Sequence, residues 1–172
     1  IDHESHGIWL DVAGAEHLFG GGVRGLLADC AKRLHRSHLR AVIAAAPTCG
    51  AAWALAHYGQ ASQRVITAPK SAANHSDATA YMISRVRLRH YLARLPIAAL
   101  RIDTDIANHM QQAGLWVIDN IIGLARAPLA ARFGTDVLLR LDQALGNEDE
   151  VFTPVSPLPP RYVCRQFAEP IS

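Results

Sequence analysis

The hydrophobic pattern begins with an alternating stretch close to the start of the chain. Ile8, Leu10 and Val12 fall on one face, and Trp9 and Asp11 fall on the other, which is the period of two typical of a β-strand. A turn and a run of glycines then separate this stretch from the next element. Because an ionised carboxylate within an apolar strand needs a partner, we expect Asp11 either to accept hydrogen bonds from local donors or to hold a cation.

Helical and strand spacings follow one another in the next part of the chain. Thr48 is placed to cap a helix, and Gly59 is placed to end the same helix. The order strand, helix, strand, helix, strand predicts a sheet that is covered by helices on one face. The predicted elements after the first strand are a helix from Val23 to Leu34, a strand over Arg40–Ala46, a helix over Cys49–Tyr58 and a strand over Gln63–Thr67.

Beyond these elements the pattern becomes helical. Residues 68–79 are small and polar and predict a loop or a domain boundary. After them apolar residues recur at helical spacing as far as Gly146. Residues 147–160 are acidic and then rich in proline, which predicts a linker, and Arg161–Phe167 predicts a strand. The pattern therefore predicts an α+β fold, with a small sheet followed by an all-α segment.

One turn in the all-α segment predicts a contact with nucleic acid. A helix that starts near Asp103 is ended by Gly114, and a second helix is expected to begin near Trp116, as in a helix-hairpin-helix. The second helix would present unpaired backbone N–H groups and a positive dipole end to a DNA phosphate. The alternative is an ordinary helical turn. The candidate DNA-binding residues are Gly114, Leu115, Trp116 and Val117.

Composition and charge restrict the class of protein. Half of the 172 residues are apolar and 19% are charged, which describes a folded chain, and the net charge of +2 is too small to indicate nucleic-acid binding by itself. An arginine-rich flank beside the stripe that starts at Leu88 is either a solvated face or a phosphate contact. Its members are Arg85, Arg87, Arg89 and Arg94.

Cysteine usage and the lack of long apolar runs bear on location. The 3 cysteines are widely spaced and fit neither a disulfide framework nor a metal site, so a reducing compartment, the cytoplasm, is expected. No apolar run approaches the roughly 20 residues that a membrane span needs. The chain starts almost within a strand, which suggests a fragment of a longer protein. The metal-ligand types at its start are interpreted as a solvated terminus; they are Asp2, His3, Glu4 and His6.

Several long stretches in a fixed order resemble the ImuB group, polymerase-like relatives of the Y-family (DinB/UmuC-like) translesion DNA polymerases. They are GIWLDVAGAEHLFGG, RAVIAAAPTCGAAWALAHYG, LPIAALRI, QQAGLWVIDNIIGLARAPLAARFG, LLRLDQALG and FAEPI. The resemblance implies that residues 1–67 are the later part of a palm and that residues 68–146 are a helix-hairpin-helix thumb. Residues 147–172 would then be a linker and the first strand of a little finger.

The resemblance also implies that the catalytic site is missing. Active relatives hold magnesium with an Asp-Glu pair, and alignment of Trp9-Leu10-Asp11 with their strand puts His6 and Gly7 at that pair. Glycine offers no ligand, and histidine suits magnesium poorly. The lysines that active relatives place near the triphosphate are absent too, because no lysine or arginine lies between Arg40 and Arg64. No catalytic or metal-binding residue is therefore assigned, and Asp11 is expected to be structural.

The function implied by the resemblance is that of a catalytically inactive adaptor that binds primer-template DNA in SOS-induced translesion synthesis and mutagenic repair. Its implied partners are the sliding clamp, a DnaE-type error-prone polymerase and a RecA-like accessory protein. No association with a membrane is expected. No cofactor is expected. One alternative is an active translesion polymerase, which would need Mg²⁺. The other is a protein-docking scaffold without DNA contact.

Overall fold

The computed structural model describes residues 7–59, 64–67, 78–82 and 87–155. Two compact units are distinguished: Trp9–Glu150 forms one, and the other comprises Ile1–Ile8 and Val151–Ser172. Residues 151–155 of the second unit contain no helix or strand and are exposed. No described helix combines the length and the apolar character needed to cross a bilayer.

The order of elements follows the predicted change from mixed to all-helical structure. Short 3₁₀ helices cover Glu16–Leu18 and Ile97–Leu100. The other elements are α1 (Val23–Arg36), β1 (Ala41–Ala45), α2 (Cys49–Tyr58), β2 (Arg64–Thr67), β3 (Ala78–Met82), α3 (Leu88–Ala93), α4 (Thr104–Gln112), α5 (Asp119–Ile122), α6 (Arg126–Phe133) and α7 (Thr135–Leu145).

The described strands form a three-stranded sheet in the order β1-β3-β2. Strand β3 runs parallel to β1, with Ala41 opposite Ala78, and antiparallel to β2, with Thr67 opposite Thr79. Helices α1 and α2 both contact β1 and β3. The prediction of a loop over residues 68–79 was wrong at its end, because Ala78 and Thr79 begin the central strand. An alanine-rich strand carries little local signal, and its formation depends on neighbours that are distant in sequence.

The strand predicted at the start of the chain is not formed. Residues 8–12 have no regular secondary structure, and Leu10 is 72% exposed. Instead, Asp11 Oδ1 accepts a hydrogen bond from Ala13 N at 2.9 Å, and Ala15 N donates to Val12 O at 3.0 Å. Local side-chain bonds of this kind compete with strand pairing. The expectation that local donors cap Asp11 is confirmed, which supports a structural role for this residue.

One hydrophobic core joins α2 to the helical segment. It contains fully buried side chains such as Leu55 of α2, Leu92 of α3, Met110 of α4 and Val137 of α7. Helix α2 precedes the predicted boundary at residue 67, so the two sides of that boundary share a core. The division at 67 and 146 into palm, thumb and linker stays a prediction.

Helices α2 and α7 approach each other closely at Thr48 and Gly50. Thr48 caps α2 as predicted: its Oγ1 accepts from Ala51 N at 3.1 Å, and the same hydroxyl donates to Ala144 O at 2.9 Å. A Cβ added at Gly50 would lie 3.1 Å from Ala144 Cα. A side chain at Gly50 would therefore push the two helices apart.

Candidate nucleic-acid interface

The first helix of the predicted hairpin begins as the sequence indicates. Asp103 is the N-cap of α4, and its Oδ1 accepts a hydrogen bond from Asp105 N at 2.8 Å. Ala107 and Met110 are buried on the inner face of α4. The carboxylates of Asp103 and Asp105 both lie at the start of α4, where the positive end of the helix dipole favours negative charge.

The turn that follows α4 is closed by a Schellman motif. Gly114 N donates to Gln111 O at 2.9 Å, and Leu115 N donates to Met110 O at 2.9 Å. These bonds satisfy carbonyl groups that the end of the helix would otherwise leave unpaired. Gly114 has a φ of +84°, and no atom lies within 4 Å of a Cβ built there. A side chain at position 114 would fit the available space, so the turn requires glycine because of its left-handed backbone conformation.

The second helix starts later than predicted, because residues 116–118 are held in another way. Ile97 N donates to Trp116 O at 3.1 Å, and Ile118 N donates to Leu95 O at 2.9 Å, which forms a short antiparallel bridge. Helix α5 covers only Asp119–Ile122. The predicted start near Trp116 is therefore wrong.

The prediction of unpaired N–H groups at the start of the second helix is also wrong at two positions. Asn120 Oδ1 accepts hydrogen bonds from Trp116 N at 3.0 Å and from Val117 N at 3.1 Å. Asparagine side chains commonly satisfy backbone groups a few residues away. A phosphate that used these two amides would have to displace the amide oxygen of Asn120.

The four candidate residues share one turn but differ in exposure. Gly114 is exposed, and Trp116 is 60% exposed, whereas Leu115 and Val117 are half-buried. Leu115 packs against the hydrophobic core. The indole of Trp116 is therefore the large side chain that this turn offers to a ligand.

Acidic residues occupy the first turns of three helices in this segment. Asp105, Asp119 and Asp136 lie at the starts of α4, α5 and α7, where they reduce the attraction of the helix dipole for phosphate. Helix α6 begins instead with Arg126, which pairs with Asp142. The hydrogen bond from Arg126 lowers the pKa of Asp142 from its ordinary value.

The predicted basic flank is only partly within the described residues. Arg87, Arg89 and Arg94 are exposed around α3, and no described carboxylate forms an ion pair with them. Arg85 lies outside the described residues. The three exposed arginines are available to a phosphate, and whether they meet one stays a prediction.

Sequence reasoning missed a partly buried ion network. Glu150 Oε2 accepts from Arg101 Nη2 at 2.6 Å, and Glu150 Oε1 lies 3.4 Å from Arg140 Nη1. The guanidinium of Arg101 also lies over the ring of Trp9 at 5.9 Å. Burial raises the pKa of the neighbouring Cys49 thiol, and Glu150 adds to the effect. These residues are far apart in sequence, so no local spacing reveals them.

Of the two residues that align with the catalytic pair of active relatives, His6 lies outside the described residues. Gly7 forms an isolated bridge and carries no side chain. Within the described part of the chain, no group of three or more histidine, cysteine, aspartate or glutamate residues is arranged to hold a metal ion.

Comparisons with known proteins agree with the predicted resemblance. No protein-family model matches the chain. ImuB proteins of two strains of Caulobacter vibrioides (NA1000 / CB15N and ATCC 19089 / CIP 103742 / CB 15) are 37% identical to it over 166 residues, which is 96% of this chain and 32% of theirs. The chain thus spans about a third of the length of these relatives.

A solved structure supports the same assignment at the level of the fold. The chain superposes on a Dbh ternary complex with a TM-score of 0.59 at 16% sequence identity, covering 83% of this chain and 38% of that one. Dbh is a Y-family polymerase. The predicted α+β fold class and the predicted resemblance are confirmed. The chain is therefore similar to ImuB over almost its whole length and has part of the α+β fold of a Y-family polymerase.

Proposed function

We propose that the protein is a catalytically inactive, polymerase-like adaptor that binds DNA during damage-induced translesion synthesis. The observation that supports this best is the 37% identity to ImuB over 96% of the chain. The α+β fold that the chain shares with a Y-family polymerase supports the polymerase-like part of the proposal. The proposal concerns the whole protein, of which this chain is a part.

Catalytic inactivity is supported by the residues that replace the metal-binding pair. His6 and Gly7 align with the Asp-Glu couple of active relatives, and neither residue supplies the oxygen ligands that magnesium needs. Asp11 does not compensate, because its carboxylate accepts the Ala13 amide and caps a turn. Without two bound metal ions the attacking and leaving oxygens of nucleotidyl transfer lack their main electrostatic stabilisation.

DNA binding is proposed for the turn that contains Gly114, Leu115, Trp116 and Val117. Its exposed indole suits contact with a sugar or an unstacked base, and its backbone suits contact with phosphate once the side chain of Asn120 moves aside. Neither contact reads the base sequence. We therefore expect binding to primer-template DNA of any sequence.

The proposed partners are a sliding clamp, a DnaE-type error-prone polymerase that performs the synthesis, and a RecA-like accessory protein. An adaptor without its own active site needs such a polymerase to extend the primer. The proposed compartment is the cytoplasm, where the dispersed cysteines would stay reduced. None of these partners is assigned to a segment of this chain.

The DNA part of the proposal is tested with the full-length protein and a fluorescent primer-template duplex. We expect fluorescence anisotropy to show affinity that falls as salt rises, because phosphate contacts release counterions. Trp116→Asp should weaken binding by about fivefold or more, since base stacking contributes about 1–3 kcal/mol. Leu139→Asp, at a side chain that is 44% exposed on α7, is the matched control. Equal affinities of the two variants would exclude the turn.

Catalysis is tested separately by primer extension with Mg²⁺. The proposal predicts no extension by the full-length protein alone. Extension that disappears in the Asp11→Ala variant would instead establish the alternative of an active translesion polymerase.

A second candidate function is a protein-docking scaffold without DNA contact. It is favoured by the aspartates at the starts of α4, α5 and α7, which oppose phosphate at those ends. An unaltered full-length protein that shows no DNA affinity even at low salt would select this function.

A further inference from the structure

Positive charge is concentrated at the end of helix α1 and in the turn that follows it. Residues 32–40 contain no acidic residue, and their lysine and arginine side chains are all exposed. The combined formal charge of these side chains is twice the +2 of the whole chain, so the remaining residues together carry a negative charge. We call this group the α1 cluster; its members are Lys32, Arg33, Arg36 and Arg40.

The end of α1 is closed without the help of these side chains. Ser37 N donates to Arg33 O at 3.0 Å, and Leu39 N donates to Leu34 O at 3.0 Å, so backbone groups satisfy carbonyls at the end of the helix. His38, at a φ of +55°, is the left-handed residue of this turn. The basic side chains are therefore not needed to cap the helix.

The described part of the fold neutralises little of this charge. Arg33 Nε lies 2.6 Å from Asp29 Oδ2, whereas no described carboxylate forms an ion pair with Lys32 or Arg36. Lys32 and Arg36 are four residues apart, which places them on the same face of α1, about 6 Å apart along its axis, where like charges repel. The helix dipole favours a cation in the last turn, but the repulsion between two neighbouring cations is relieved only by an anion that approaches both.

The composition of the cluster favours nucleic acid over protein as the source of this anion. Protein interfaces have apolar and aromatic side chains at their centre and contain few lysines, whereas lysine and arginine clustered along a helix are typical of a surface that binds a phosphate backbone. No phenylalanine, tyrosine or tryptophan lies between Val23 and Arg40, so the cluster lacks the aromatic rings on which single strands stack. The backbone phosphates of a duplex therefore match it best.

The α1 cluster is distinct from the turn at residues 114–117. Helix α1 packs on β1 and β3, whereas Leu115 packs against the core of the helical segment. We propose that the α1 cluster is a second DNA contact, which binds the backbone phosphates of duplex DNA without reading the base sequence. The inference rests on the proposed DNA binding and adds to it a contact on the part of the chain that carries the sheet.

The test measures the salt dependence of binding between the full-length protein and a fluorescein-labelled, blunt-ended DNA duplex. Each phosphate contact contributes about 0.9 to the slope of log affinity against log salt concentration. Arg36→Ala should therefore reduce this slope by about 0.9 and weaken binding about fivefold or more at about 0.1 M salt. Addition of Lys32→Ala to the same protein should about double the change in slope.

Arg24→Ala is the matched control. Arg24 is an exposed arginine in the first turn of the same helix, about 18 Å from Arg36 along the helix axis, and its removal changes the net charge by the same amount. It should leave the slope unchanged. Circular dichroism checks that each variant is folded. Equal slopes for Arg36→Ala and Arg24→Ala would overturn the inference.

An acidic protein partner is tested by competition. A synthetic glutamate-rich peptide, added at the same concentration as the duplex, should leave the duplex bound to the full-length protein. Displacement of the duplex by this peptide, if it is absent in the Arg36→Ala variant, would assign the cluster to an acidic protein and would overturn the inference.

The variant of the turn separates this inference from the proposed function. If Trp116→Asp weakens duplex binding and Arg36→Ala does not, the turn is the DNA contact and the inference is refuted. The opposite result would support the α1 cluster and exclude the turn. No affinity of the unaltered full-length protein for the duplex, even at low salt, would refute both.

Discussion

Removing the charge of Glu150 should destabilise the fold much more than an ordinary surface substitution. Glu150 lies between Arg101 and Arg140, and the side chains of Arg101 and Glu150 are only 14% and 11% exposed. Glu150→Gln keeps the size of the side chain but leaves the guanidinium of Arg101 without its counter-ion. The Nε atoms of Arg101 and Arg140 are already buried without a hydrogen-bond partner among the described residues, so the network has little other compensation.

The size of the effect follows from the burial of the pair. Removal of one partner from a fully buried ion pair costs about 3–5 kcal/mol, whereas an exposed pair contributes about 0–1 kcal/mol. Because Arg140 remains 32% exposed and can be hydrated, we expect the free energy of unfolding to fall by about 2–3 kcal/mol. The double variant that carries both Glu150→Gln and Arg101→Met should recover part of the lost free energy of unfolding, because the second substitution removes the uncompensated charge of Arg101.

Urea unfolding followed by circular dichroism measures these differences. Asp149→Asn is the matched control, because Asp149 is the exposed neighbour of Glu150, and it should change the free energy of unfolding by less than about 0.5 kcal/mol. The loss in Glu150→Gln should persist in salt, as screening acts weakly on buried pairs. Equal effects of the two substitutions would refute the reasoning.

Three further predictions concern backbone and titration. Gly114→Ala should lower the free energy of unfolding by about 1–2 kcal/mol, because its φ of +84° strains a side chain; urea unfolding measures this. Gly50→Val should cost about 1–3 kcal/mol by overpacking against α7, whereas Gly123→Ala, at a φ of −96° and in open space, should be neutral or stabilising in the same assay. The hydrogen bond from Arg126 lowers the pKa of Asp142 in the folded protein below its ordinary value of 3.8. The ionised Asp142 therefore stabilises the fold above pH 3.8, and this stabilisation disappears as the pH falls through the pKa that Asp142 has in the folded protein. In an acid titration, the Asp142→Asn variant should lack this pH-dependent loss of stability.

Helix α2 shows which features the sequence can predict. Its start and end were predicted correctly, because Thr48 and Gly59 act on backbone groups within four residues of themselves. The end of α4 at Gly114 is equally local. Such signals need no knowledge of the rest of the fold.

Strand β3 and the ion network show what the sequence cannot predict. Strand β3 forms by pairing with β1 and β2, and the Arg101–Glu150 pair joins residues 49 positions apart. Tertiary pairing also explains why the strand predicted at residues 8–12 does not form. The alternation of apolar and polar residues is present there, but Asp11 forms a local hydrogen bond with the Ala13 amide. Whether a strand or a side chain finds a partner depends on residues that only the tertiary fold brings close to it.

The turn after α4 carries the clearest consequence for function. A helix-hairpin-helix pattern in sequence implies free amides, but Asn120 accepts the amides of Trp116 and Val117 within the chain. Any DNA affinity of this turn must therefore come from side chains, or from amides released at the cost of the Asn120 hydrogen bonds. Exposed Trp116 serves the first route and also suits a protein partner. The sequence pattern is thus compatible with both DNA binding and protein docking, and the response of DNA affinity to Trp116→Asp distinguishes the two.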